Sequence, residues 1–274
     1  MLVQGTSLHS PPRPGRALHQ ALSEWWHLLL LGTTILVLAL SPSSYSPRHR
    51  GQLSQQIYQN TAPILLGFSV VCALVTLVVT RIVVVTALSY GLSQYALQVV
   101  IRVLVLELIP LTAALFVALR CTIPDGAELT TLHTRGAVDG DASQNLEFLQ
   151  GEVLSRALAG LFSGLTLAAL SSVVVLVVAY LASYGFSLSG LAVYTRLFGQ
   201  VFSPAVSLIF VLKALLFCLT VALIPMASAV FGMRNTPPLA QGVPVRTSAE
   251  MRGLVRMFAL LLMIEVVSLV GNYY

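Results

Sequence analysis

Apolar residues in this chain gather into runs longer than the core of a soluble domain requires. A transmembrane helix needs ~20 predominantly apolar residues to cross ~30 Å of hydrocarbon. Five stretches meet that length: Thr61 to Thr80, Leu97 to Leu119, Leu154 to Tyr184, Val201 to Phe231 and Gly253 to Val270. Two of them are long enough to tilt or bend. Composition agrees, because 57% of the 274 residues are hydrophobic and only 9% are charged, against roughly 25% charged in soluble proteins. The expected fold class is therefore all-α integral membrane, with five transmembrane helices.

A shorter stretch, Leu28 to Leu40, is interrupted by Gly32-Thr33-Thr34. It falls in the ~10–14 residue class that lies in the interface or re-enters more often than it spans. Lys and Arg near span ends favour the cytoplasmic side. Arg13 and Arg16 precede the stretch while Arg48 and Arg50 follow it, so both flanks prefer one side and an interfacial elbow helix is expected, anchored at headgroup level by Trp25 and Trp26. A secretory signal peptide is the competing reading, but no A-x-A-like cleavage site follows. Five crossings from a cytoplasmic N-terminus put Arg120 and Arg135 in one cytoplasmic loop and Arg234, Arg246, Arg252 and Arg256 around another. The outward side then keeps little beyond Arg81 and Arg196. This divides the chain into an N-terminal and elbow region, 1–56, and a five-span body, 57–274.

Several function classes lack their residues. Cys72, Cys121 and Cys218 lie far apart and show no paired spacing for a metal site or disulfide framework. The net charge of +5 comes from scattered arginines that form no run able to track a nucleic-acid backbone. No G-x-x-x-x-G-K-[ST] occurs, so the chain has no such loop to cradle ATP phosphates. His133 and the N-terminal histidines have no ligand spacing. Tyr180, Tyr184 and Tyr194 read as an ordinary aromatic belt. The small residues Ser163-Gly164 and Ala168-Ala169 suit close helix packing, within the chain or against another subunit.

What remains is a polar loop and a few buried charges. The loop from Arg120 to Glu152 is the one sizeable polar segment after the N-terminus. Pro124 suits a helix start, since its missing N–H would be unpaired in the first turn, and Asp125 and Glu128 lie where the helix dipole favours negative charge. A short helix outside the membrane is expected there; an ordinary solvated loop is the plain alternative. Arg102 and Glu107 in the second span, Lys213 in the fourth and Glu265 in the fifth are ionisable groups at membrane depth, costly unless they face a cavity or a partner. Either Arg102 and Glu107 pair with one another, although a spacing of five is not ideal, or their partners lie on other helices. Lys213 and Arg196 could instead snorkel to an interface.

The run Glu107-Leu108-Ile109-Pro110-Leu111-Thr112-Ala113-Ala114-Leu115-Phe116-Val117-Ala118-Leu119-Arg120 resembles the "ELGPVLTALLVAGR" signature of MlaE/YrbE-type permeases. In the same frame Ala127-Glu128-Leu129-Thr130-Thr131-Leu132 is similar to "AELGTM", Asp139 matches the aspartate of "EQIDAL", and Leu154-Ser155-Arg156-Ala157-Leu158-Ala159 is similar to "VPRLLA". More thinly, Gln56 to Asn60 resembles the polar approach to the first span. Leu212 to Phe217 resembles "IKSLVFG", and Glu265 falls where the family keeps an aspartate. The likeness covers roughly Gln56 to Val270. Family glycines are replaced by Ile109 and Leu119, which should change packing or a partner surface in the second span.

The resemblance implies the permease subunit of an ABC transporter in the bacterial inner membrane, moving phospholipid or a related lipid with an MCE protein and not itself an enzyme. Its implied partners are a second permease copy, an ABC ATPase dimer carrying ATP and Mg, an MCE substrate-binding ring and a STAS-like accessory subunit, with no nucleic acid. Arg120, Asp125, Glu128, Leu132, Arg135 and Asp139 would form the ATPase-coupling segment, about 120–152. Arg102, Glu107, Lys213 and Glu265 would line the lipid pathway. No metal or cofactor is expected in this chain. An ion-coupled secondary transporter of a hydrophobic solute would explain the buried charges equally well, but such transporters usually show internally repeated halves, and no convincing repeat is seen.

Overall fold

The computed structural model describes residues 47–132, 152–235 and 243–273, together with positions 26, 30, 32–34 and 37. Among the described residues there is no strand. In hydrocarbon every backbone N–H and C=O must be satisfied within the protein, and a helix does so within one segment. The helices in chain order are α1 (Pro47–Ser89), α2 (Ser93–Ile101), α3 (Ile109–Val117), α4 (Ile123–Leu132), α5 (Leu154–Tyr184), α6 (Leu191–Val201), α7 (Pro204–Asn235) and α8 (Val243–Tyr273). Five candidate membrane spans result: Leu53–Ser89, Tyr95–Leu129, Leu154–Tyr184, Pro204–Ser228 and Gly253–Gly271. The elbow expected over Leu28 to Leu40 lies mostly outside the described residues, as do Arg135 and Asp139.

The first, second and fourth spans differ in extent from the sequence expectation, for physical reasons. The first span takes 37 residues of the 43-residue helix α1, on the order of 55 Å at 1.5 Å per residue, so polar Gln55, Gln56 and Asn60 ride on the same helix as the apolar run. The fourth span starts at Pro204, because Val201 closes the separate helix α6 and Phe202-Ser203 breaks the chain. Ser203 caps the new helix: its Oγ accepts a hydrogen bond from the Val206 N–H at 3.3 Å. Pro204 then occupies the first helical position, where its missing N–H costs nothing.

The second span is one continuous rod built from α2, α3 and α4, joined by two π-helical segments, Arg102–Leu108 and Ala118–Thr122. Each π segment is followed directly by Ile-Pro, Ile109-Pro110 in one case and Ile123-Pro124 in the other. Proline removes the i→i−4 donor and crowds the carbonyl four residues back, which favours the wider turn just before it. Pro124 therefore does not open a helix after a loop; α4 extends the second span beyond its apolar part.

Two apolar clusters stack along the bundle. One joins Ile64, Phe68, Ala113, Val117, Leu167, Phe217, Val221, Met257 and Leu261. The other, nearer the α6 end, joins Leu97, Ile101, Leu104, Ile109, Val175, Tyr194 and Val201. The first span packs most extensively on the third, and the fourth lies against both the second and the fifth. Gly164 lets the third and fourth spans approach closely, since a Cβ there would fall 2.7 Å from Cys218 Sγ. Ser163, Gly164 and Ala168 are thus buried within the chain, while Ala169 is exposed.

Candidate functional site

Three of the four charges expected at membrane depth meet at one point. Glu107 comes from the first π segment of the second span, Lys213 from α7 and Glu265 from α8. The Lys213 ammonium donates to Glu107 Oε2 and stands 2.9 Å from Glu265 Oε2. Its side chain is 1% exposed, against 11% for Glu107 and 16% for Glu265. One helical turn on, the Phe217 ring lies 5.6 Å from Nζ, within the range where a ring face attracts a cation. Two carboxylates thus converge on one ammonium. Along α7 Lys213 falls between Phe210, packed on the cluster nearer α6, and Phe217 of the other cluster, while Glu107 lies between Leu106 and Ile109 of the cluster nearer α6.

Lys213 therefore does not snorkel; it is the centre of the cluster. Glu107 finds its partner 106 residues away and on another helix, the second of the two arrangements that its sequence left open. Arg102 shares the π segment with Glu107 and is half-buried.

A second polar network sits at the other end of the second span, where α4 ends and α5 begins. Its centre is Arg156, buried in the first turn of α5. Nη1 donates to Glu128 Oε2 at 3.0 Å and to the Asp125 carbonyl at 3.3 Å. Nε and Nη2 donate to Glu152 Oε2 at 3.3 and 3.1 Å. Asn60 adds the first span: its amide donates to Asp125 Oδ2 at 3.5 Å, and its carbonyl accepts from Ser163 Oγ at 3.2 Å. The Cys121 thiol also reaches the Asn60 carbonyl, at 3.7 Å. First, second and third spans are tied together at this end.

Of the residues expected to couple to an ATPase, Asp125 and Glu128 meet in this network. Arg120 is exposed on the second π segment, and Leu132 ends α4. Glu128 keeps its side chain 60% exposed despite its bond to Arg156. Sequence reasoning assigned no role to Arg156 or Asn60. The signal was present for Arg156: a guanidinium opening an apolar run of some thirty residues, with Glu152 four residues before it, needs partners.

The described residues thus hold a buried ion cluster joining three spans and an acidic, partly exposed helix end. The model of the family described as permease MlaE matches residues 53–270. The chain belongs to the MlaE permease family. That match begins at the first residue of the first span and ends one residue short of the last residue of the fifth, so it takes in both polar networks. As an MlaE permease the chain is a multi-pass ABC transporter permease. No curated protein matches it.

Proposed function

We propose that this MlaE permease moves phospholipid or a related lipid between membranes, as the membrane subunit of a complex in which a separate ABC ATPase dimer, holding ATP and Mg, drives the transport. A second permease copy completes the membrane body, an MCE ring sits on the outward face and a STAS-like subunit assists the ATPase. The complex lies in the bacterial inner membrane, with the N-terminus of this chain and the α4 end of the second span in the cytoplasm. Arg120, Asp125, Glu128, Leu132, Arg135 and Asp139 belong to the segment that receives the ATPase. Arg102, Glu107, Lys213 and Glu265 lie along the lipid path.

The observation that carries this reading is the exposed Glu128 carboxylate, held on a helix continuous with the span that bears Glu107. Closure of the ATPases against α4 would be felt along the whole second span. Because Lys213 is covered while the two carboxylates are its more exposed neighbours, the cluster offers a lipid headgroup acceptors before it offers a cation.

The ion cluster is also what an ion-coupled secondary transporter would use, and one experiment separates the two. The complex, purified with whatever subunits accompany it and placed in liposomes, should transfer fluorescent phospholipid only when ATP is supplied. Transfer driven by an ion gradient with no need of nucleotide would overturn the reading in favour of the secondary transporter. A membrane-impermeant thiol reagent should label Glu128→Cys, in a background lacking the native cysteines, from the cytoplasmic side alone.

A further inference from the structure

Arg156 holds an unusual place between the two halves of the fold. Its guanidinium is buried and its bonds run in two directions. Those to Glu152 stay at the start of its own span, four residues away. Those to Glu128 and the Asp125 carbonyl cross to α4, 28 and 31 residues away in sequence. The planar fork of five donors satisfies both directions at once in a fixed geometry. Asn60 extends the tie to the first span through Asp125, and the first span packs more extensively on the third than any other pair of spans does. At its other network the second span is held by Lys213 to the fourth and fifth spans, which also pack extensively on each other. The second span is thus tied by charge to the first and third spans through Arg156 and to the fourth and fifth through Glu107, while α4 also packs on the fourth span. The π segment Ala118–Thr122 lies between the two fastenings.

We infer that Arg156 is a positioning residue for transport: it fixes α4 to the first and third spans, so that a force delivered at α4 moves these spans together instead of bending α4 by itself. This rests on the reading of α4 as the ATPase-receiving segment. Glu128 has two tasks in this picture: Arg156 holds its Oε2, and its side chain, 60% exposed, is within reach of a partner. Arg156 touches no cargo.

The test measures lipid moved per ATP hydrolysed by the reconstituted full complex, beside complex assembly by co-purification. For Arg156→Gln the complex should assemble and hydrolyse ATP while lipid moved per ATP falls about tenfold, the scale on which residues within a coupling network act. Arg156→Lys keeps the charge but loses the fork, and should recover part of the loss. Glu152→Gln removes the charge that strengthens the bond within the third span alone and should lower the ratio less than Arg156→Gln does. Should Arg156→Gln yield no folded complex, the comparison of Arg156→Lys with Glu152→Gln still decides, the former expected to be the more uncoupled. An unchanged ratio in the Arg156 variants, or a loss that follows only the amount of assembled complex, would overturn the inference. A wild-type complex that moves lipid with ATP leaves the proposed function standing in either case, whereas a wild type indifferent to ATP removes that function first.

Discussion

Replacing Lys213 by methionine keeps most of the side chain's length and its apolar stem but deletes the ammonium. Glu107 and Glu265 would then face each other's charge in a space where their side chains are only 11% and 16% exposed. Ordinary polar contacts between membrane helices contribute ~0.6 kcal/mol on average. Removing one partner of a buried ion pair costs more, ~3–5 kcal/mol, because the remaining charge is left uncompensated. At roughly 2–4 °C per kcal/mol for a chain of this size, Lys213→Met should lower the midpoint of thermal unfolding in mild detergent by roughly 6–20 °C. The loss should be repaired by removing the carboxylate charges as well: Lys213→Met with Glu107→Gln and Glu265→Gln should regain most of it, since an apolar or neutral replacement of a whole buried ion set is often tolerated. A drop under about 2 °C for the single variant would show that water or another subunit already screens the cluster. A triple variant no more stable than the single one would show that Lys213 acts through its packing on Phe217 and not through charge.

Three further outcomes test the packing. Gly164→Ala places a methyl carbon 2.7 Å from Cys218 Sγ and 3.4 Å from its Cβ, so it should cost ~1–3 kcal/mol as overpacking, and Cys218→Ala should restore stability; no loss in unfolding midpoint would mean that the third and fourth spans separate freely. Ser203→Ala removes the cap of α7 and should destabilise that end by ~1 kcal/mol, seen as faster hydrogen exchange at the Val206 amide; an unchanged rate would refute the cap. Ile109 is 2% exposed and Leu119 64%, so Ile109→Gly should cost at least the ~2–5 kcal/mol of a core truncation to alanine while Leu119→Gly should cost ~1 kcal/mol of helix propensity; equal losses would show that another surface covers Leu119.

Helix number was legible because runs of Leu, Val and Ile longer than ~18 residues have few other homes than a membrane. Helix ends were less so. Hydropathy weights side chains, whereas the end of a helix is set by backbone hydrogen bonding, and polar Gln56 and Asn60 bond as helically as the valines that follow. The break before the fourth span had a local sign, Ser203-Pro204, that an apolar count passes over, since Val201, Phe202 and Ala205 read as one run. The π segments left only the repeated Ile-Pro as a trace. Burial also divided the two lost glycines in a way composition does not show. Ile109 lies in the apolar cluster near α6, so its bulk bears on packing, and Leu119 lies on the outside, so its bulk bears on what touches the second span.

For the site, residue type and depth were enough to single out Glu107, Lys213 and Glu265, because a charge inside a membrane demands compensation wherever the chain turns. The pairing was not legible, for a geometric reason. Compensation within one helix requires a spacing of three or four, and the nearest charge to Glu107 on its own span, Arg102, stands at five, so the choice passed to residues whose position depends on how three helices pack. The same logic explains why Arg156 stayed without a role. Its near neighbour Glu152 satisfies the helical spacing and looks like a complete local pair, which hides the second set of bonds to α4. Glu107 and Glu128, which make the two ion pairs of the second span, lie about twenty-one residues apart, on the order of 32 Å at 1.5 Å per residue, close to the thickness of the hydrocarbon layer. A span charged at both of these depths cannot slide along its axis without breaking one of its two ionic fastenings. The π segment Ala118–Thr122 lies between them, buried against the third and fourth spans, so any rotation or bending of the second span between its fastenings must repack that segment.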